Sequence, residues 1–507
     1  QDLLGPLAVA WALLGMRAAQ AERREDRIGS VALAAHVFVA GLAPQVHFAG
    51  AALLLPTLWL LVRRRWWRRP RPLVAGAALA AAAALPYVVA LWRADALRGT
   101  LQAALSGAGG EAGAPRELVG LQRLLEMGVG RGWEWFLLGG EWQWAEGWTM
   151  ALTAASVGAG ILLLLGAVAL ALRLRRGRGR TSEPLNILLP VWLLGAPLLF
   201  LGHLTPAYHQ YQLAALPALF ALGGYGAVLL PRRRFWGPAA LAVALGVAAV
   251  QGAAFGRGLG IVAERLTPGG IGTPLAYPRA AVRALGEGEV IVHAHGDDAA
   301  TVGDVAGFEA LLWGRPHRVV DGRAVLLVPA APAMGEAGPA HLLFTFGDLP
   351  AWGLVEDLGL PGDRLAHPRR ESEPPYVSLT PVDAEAQGLA AVDPPQALAN
   401  GVSLAGWRID RLGEGLRVIT RWRLDEAAPE GARYHGFHHL YVGEGTEPAA
   451  VHDVPLSSAA WCAGDTLYVV ADLPAPPEGA YHVEVGMYTY PDITRVSPEV
   501  VLRLEAP

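Results

Sequence analysis

Histidine, tyrosine and glutamine gather at two places in this chain: Gln45 with His47, and His203 with Tyr208, His209, Gln210 and Tyr211. Imidazole exchanges protons near neutral pH, and amide, phenol and imidazole groups together can hydrogen-bond a phosphate or a hydroxyl. A third group, Glu134, Glu141 and Glu146, sets carboxylates among the tryptophans between Trp133 and Trp148. A carboxylate placed beside a hydroxyl can take its proton as a general base. Each group also has a plainer reading: an interfacial aromatic belt with hydrated histidines, and glutamates on a solvated surface.

Other candidates carry less. No Walker loop, GxSxG elbow or HExxH pair occurs. His293 and His295, two positions apart, are expected on opposite faces of a strand end, as ordinary polar residues and not metal ligands; His435, His438 and His439 are read in the same way. Cys462 is the only cysteine, so no intramolecular disulfide forms, and a structural thiol is expected over a catalytic one.

The elements that must position these groups are membrane spans. With 53% hydrophobic residues over 507 positions, the chain is too apolar for one soluble domain. Charge is also divided: residues 1–256 carry 23 Arg against 12 acids, and residues 257–507 carry 18 Arg against 33 acids. Apolar runs predict eight spans, at Leu3–Met16, Ile28–Leu42, Phe48–Val62, Leu73–Leu91, Met150–Leu172, Leu185–Leu201, Tyr211–Leu230 and Pro238–Phe255. Arginine clusters at 17–27, 63–71, 173–180 and 232–234 follow the first, third, fifth and seventh. Arginine marks the cytoplasmic ends of spans. The loops at 45–47, 92–148 and 203–210, and everything after the eighth span, are therefore expected outside the cytoplasm. Pro115–Met127 within the long loop reads as an amphipathic helix, and the tryptophan-rich segment after it as a re-entrant or surface-lying piece.

Beyond the spans the pattern changes. Residues 1–256 are read as a transmembrane domain, 257–383 as an extracytoplasmic α/β domain, 384–399 as a Pro- and Ala-rich linker, and 400–507 as an antiparallel β-sandwich. Leu416, Val418, Thr420 and Trp422 alternate with arginines, the period of a half-buried strand.

The stretch GLAPQVHFAGAALLLPTLWLL (41–61) resembles a Gln-x-His turn that opens a leucine-rich helix in GT-C membrane glycosyltransferases. TPAYHQYQLAALPALFALGGYG (205–226) is similar to a later His/Tyr-rich mouth of the same class, whose family-39-like members include protein mannosyltransferases and aminoarabinose transferases. The tail resembles a β-sandwich appended to some bacterial members. The resemblance implies transfer of a sugar from a polyprenyl-phosphate donor, in the bilayer of a bacterial inner membrane, to an extracytoplasmic glycan, lipid or protein, often with a divalent metal and with no nucleic-acid partner. It places Gln45, His47, Tyr208, His209 and Tyr211 along the donor-phosphate or acceptor side, with Glu134 and Glu141 in an outer segment that closes over the site. The family's acidic base is expected upstream of Gln1, with an odd number of further spans. A flippase for lipid-linked sugars and a membrane-anchored glycan-binding protein are the competing readings.

Overall fold

The computed structural model describes residues 3–20, 26–93, 118–176, 183–199, 209–229, 236–330, 339–382, 386–496 and 502–505, apart from short gaps at 414, 427–430, 444 and 476–479. The chain divides into two compact units, Gln1–Val262 with Thr267–Ile271, and Ala263–Leu266 with Gly272–Pro507.

The first unit is helical: α1 (Leu4–Gln20), α2 (Arg27–Val46), α3 (Leu54–Arg63), α4 (Pro70–Arg93), α5 (Val119–Gly128), α6 (Trp133–Leu138), α7 (Glu146–Arg176), α8 (Glu183–Leu199), α9 (Leu216–Leu229) and α10 (Trp236–Glu264). Four of these, α2, α4, α7 and α10, are long and apolar enough to cross a bilayer. The other expected spans are shorter among the described residues: Phe48–Arg63, Leu188–Leu198 and Leu216–Tyr225 are their apolar helical stretches, and α1 has 17 residues. The seventh begins at Leu216, not Tyr211, because a 3-10 turn, His209–Gln212, occupies its expected start. Pro217 then sits in the first turn of the helix, where its missing N–H costs nothing.

Burial separates the helices by role. Only 6% of the apolar window of α4 and 11% of that of α10 is buried, and Leu79, Leu85, Leu241 and Leu245 stand more than half exposed. Leaving such a side chain in water forgoes about 1.5–3 kcal/mol, so these faces suit lipid. The interior is made elsewhere. α2 lies against both α1 and α4, and α7 runs along α9. At Gly166 on α7 a Cβ would stand 1.9 Å from the Leu222 carbonyl oxygen of α9, an approach open only to glycine. His36, fully buried on α2, joins α1 to α3: its Nδ1 lies 2.8 Å from the Trp11 carbonyl and its Nε2 3.4 Å from Thr57 Oγ1, which also accepts from Trp11 Nε1 at 2.8 Å.

The second unit opens with α11 (Ala276–Ala284), β1 (Val290–Ala294), α12 (Gly303–Leu311), β2 (His317–Asp321), β3 (Val325–Val328), β4 (His341–Phe344), α13 (Pro350–Asp357), β5 (Gly362–His367) and β6 (Tyr376–Pro381). It continues with β7 (Ala390–Ala397), β8 (Val402–Leu412), β9 (Gly415–Leu424), β10 (Arg433–Val442), β11 (Ala450–Ser457), β12 (Thr466–Pro474), β13 (Tyr481–Thr489) and β14 (Leu502–Glu505). One sheet has the order β2-β1-β4-β6-β5, with β1 parallel to β2 and β4. Two antiparallel sheets, β11-β10-β13-β14 and β3-β12-β9-β8-β7, enclose a core that includes Trp422, Leu440, Leu467 and Val483. The alternation along β9 holds except at Ile419: Leu416, Val418, Thr420 and Trp422 are buried, Arg417 and Arg421 are half-buried and Arg423 is exposed, but Ile419 is buried as well.

Three expectations are corrected here. The stretch 384–399, read as a linker, contains β7, an edge strand on β8 whose register breaks between Ala391 and Gln396. Pro394 and Pro395 lie inside that break; proline cannot donate to a ladder and is confined to edges and irregularities. β3 lies within the expected α/β domain yet pairs with β12 in the sandwich. All four of its residues are buried, so no alternation marks which sheet it joins. His293 and His295 share a face, because side chains two apart on a strand point the same way. They stack on Phe344 and Phe346 at 4.8 and 4.6 Å. Burial pushes His293 down to about 3, so its neutral Nε2 can accept from the Leu327 N–H at 3.1 Å.

Asp465, 2% exposed, ties this unit together. It accepts from the Arg318 guanidinium on β2, from Ala330 N after β3 at 3.2 Å and from Cys462 N at 2.9 Å. Arg318 also meets Glu289 at 2.9 and 3.0 Å. Asp465→Ala leaves that guanidinium with one carboxylate in place of two and is expected to cost about 3 kcal/mol. The readout is hydrogen-exchange protection of β2 and β12; unchanged protection would show that the contact does not hold the two parts together.

Candidate functional site

The site grows from the 3-10 turn that displaces the start of α9. His209 opens it, 7% exposed, with Nε2 donating to Glu126 Oε2 at 2.9 Å. Glu126 lies near the end of α5 and also accepts from Gln122 Nε2 at 2.8 Å and Arg123 at 3.0 Å. Those partners sit four and three positions back, the spacing that faces side chains together on a helix. Burial pushes the Glu126 carboxyl up, but the hydrogen bonds from Gln122, Arg123 and His209 more than offset it and hold it below the usual range.

The turn between α5 and α6 closes against the same ring. Arg131 N donates to the Glu126 carbonyl at 2.7 Å. Gly132 follows with φ +88°, and a Cβ there would lie 2.4 Å from His209 Nε2. The left-handed backbone and the missing side chain are both required. Trp135 stands 6.3 Å from the imidazole, ring centre to ring centre. Three residues beyond His209, Gln212 is fully buried and neither of its amide atoms has a hydrogen-bond partner among the described residues.

The sequence candidates divide between this site and others. Glu134, on α6, accepts from Trp144 Nε1 at 3.1 Å and faces Arg131 at 3.5 Å. Glu141 is exposed and forms no ion pair among the described residues. His47 accepts from Ala49 N at 3.2 Å, capping the 3-10 turn Phe48–Leu53. Its ring lies 5.4 Å from that of Tyr211, and Phe48 lies 4.7 Å from Tyr211, so the two motifs read from sequence do meet. Gln45 is engaged otherwise: its Nε2 donates to the Gly41 and Ala80 carbonyls, each at 3.1 Å, tying α2 to α4. Tyr208 and His203 lie outside the described residues. Sequence reasoning missed Glu126, although it placed the residue on the amphipathic helix. The available signal was the Gln122, Arg123, Glu126 spacing.

Glu126 and His209 are two potential metal ligands, and among the described residues no group of three or more His, Cys, Asp or Glu is placed so that it could hold a metal ion. Among the described residues, Glu126 and His209 do not by themselves complete a ligand set for the divalent metal that the resemblance implies. Cys462 is exposed, and desolvation pushes its thiol up, away from a reactive thiolate. Comparisons with protein-family models, curated proteins and solved structures found no match to this chain.

The depressed Glu126 value sets a pH dependence. Its stabilising contribution is present above the unfolded carboxylate pKa, about 4.3, and is lost as pH falls through the lower folded value. Hydrogen-exchange protection of α5 is expected to persist from neutral pH to about pH 4 and to fall below it, with no such fall in Glu126→Gln. A loss between pH 7 and 5 would assign the transition to another group.

Proposed function

We propose that this protein is a membrane glycosyltransferase that moves a sugar from a polyprenyl-phosphate donor to an extracytoplasmic acceptor. The observation that carries the reading is a cavity of about 680 Å³ among α7, α9 and α10, walled by Leu163, Phe220, Val247 and Phe255 and reached by Arg131 and Gln251. Ligand sites commonly occupy roughly 300–1,000 Å³ with apolar walls and few polar groups. An isoprenoid chain matches the walls, and a phosphate matches the guanidinium. From Arg131 the chain passes directly to Gly132, which packs on His209.

In the proposed reaction the acceptor hydroxyl oxygen attacks the anomeric carbon opposite the phosphate. The bond from that carbon to the phosphate oxygen breaks, and its electron pair leaves with the polyprenyl phosphate, inverting the centre. The hydroxyl proton passes to His209. With Nε2–H donated to Glu126, Nδ1 is the basic nitrogen. Glu126, already an acceptor for three side chains, orients the ring rather than taking the proton itself. Arg131 offsets the charge that develops on the departing phosphate. The His47–Phe48–Tyr211 group belongs to the lining of the donor-phosphate or acceptor side. In this reading α1, α3, α8 and α9 complete eight crossings of a bacterial inner membrane, the arginine clusters face the cytoplasm, and the second unit lies outside.

The test uses the full chain in nanodiscs with a photoreactive polyprenyl-phosphate hexose and an envelope extract as acceptor source. Labelling is expected within the cavity, weakened about tenfold by Arg131→Ala. His209→Ala should retain labelling and lower transfer by about 10²–10⁴. Binding without transfer would support a flippase, and absence of labelling would end the proposal.

A further inference from the structure

The second unit has a polar cavity that the proposed chemistry does not use. It measures about 320 Å³, at the small end of the range for ligand sites. Asp297 and Asp298 follow β1, and Asp321 ends β2, so one wall is the carboxyl edge of parallel strands, where open α/β sheets place their ligands. The opposite wall comes from the sandwich and carries His435, Trp461 and Tyr490. His435 and Tyr490 stack at 4.7 Å with 23° between their planes. Trp461 is held flat against Tyr434 at 5.7 Å and 8°. Tyr490 is half exposed, and Asp297 and Asp298 are exposed.

This combination selects a ligand class. Ionised carboxylates are acceptors only, with up to four lone-pair sites each, and so suit a molecule rich in hydroxyl donors. Asp321 is already engaged by Arg323, whose guanidinium and backbone N–H both donate to it. That leaves Asp297 and the remaining lone pairs of Asp298 for the ligand, since Asp298 also holds its own turn, accepting from Ala300 N at 2.8 Å and from Thr301 Oγ1 at 3.2 Å. With Asp321 paired to Arg323, Asp297 and Asp298 against Arg433 leave the lining net negative, which disfavours phosphate and other anions. Aromatic faces fixed by stacking suit the flat, C–H-bearing face of a sugar ring.

We propose that this cavity binds a neutral pyranose unit of a glycan, with Asp297 and Asp298 accepting from its hydroxyls and Tyr490 against its ring face. The site lies wholly within the second unit and does not depend on the transferase reading.

The experiment is saturation-transfer NMR on the full chain in nanodiscs, with cellotetraose and a mannose tetrasaccharide as probes and sorbitol as an open-chain control. Transfer is expected to at least one tetrasaccharide and not to sorbitol, which has hydroxyls but no ring face. Tyr490→Leu and Asp298→Asn should each weaken binding about tenfold, while Tyr490→Phe, which keeps the ring, should bind within about twofold. Glu126→Gln should bind as the unaltered protein does, which separates this site from the first unit. Absence of transfer to both tetrasaccharides, equal transfer to sorbitol, or unchanged binding in Tyr490→Leu and Asp298→Asn would each overturn the assignment.

Discussion

The constraint on which the first unit depends is the apolar surface it leaves uncovered. Helices α4 and α10 bury about a tenth or less of their apolar windows, and leucines on both stand open. In lipid such faces cost nothing, and apart from its ends a helix pairs its backbone groups within itself. The hydrophobic effect then gives no help in bringing helices together, and close packing must replace it. That is the place of Gly166 against the Leu222 carbonyl, and of Gln45, whose amide donates to carbonyls of both α2 and α4.

The candidate site obeys a different rule. An imidazole 7% exposed needs a partner for its N–H, and Glu126 supplies it from a segment 83 positions away in the chain. Each neighbour of that pair is fitted to it: Gly132 by lacking a side chain, and Gln122 and Arg123 by helical spacing. A carboxylate so fully engaged is a poor proton acceptor and a good orienting group. This is why the proposed chemistry gives the proton to His209.

The second unit is held by polar contacts at a seam within one apolar core. The core runs from Ile291 and Phe344 in the mixed sheet to Trp422 and Val485 in the sandwich. β3 crosses from one to the other, and Asp465 receives hydrogen bonds from β2, from the chain after β3 and from the turn before β12. The two parts are therefore a single packed body and not modules on a string.

Composition and periodicity alone determined much of this. An apolar, arginine-bearing first half and an acidic second half of alternating strands follow from residue type, because helix and strand periods show in local sequence. The contact between His47 and Tyr211, 164 positions apart in the chain, has no such local signal; only the resemblance set the two motifs along one cavity. Contacts set by distant segments were not legible. Nothing local distinguishes Gln45 as a tie between helices, Glu126 as the partner of His209, or β3 as a strand of the sandwich. Nor did the apolar run from Tyr211 reveal that its first turn would tighten around His209 and delay the helix to Leu216. Hydrogen-bond partners and sheet neighbours are chosen by which groups the packed chain brings together, and only the tertiary structure decides that.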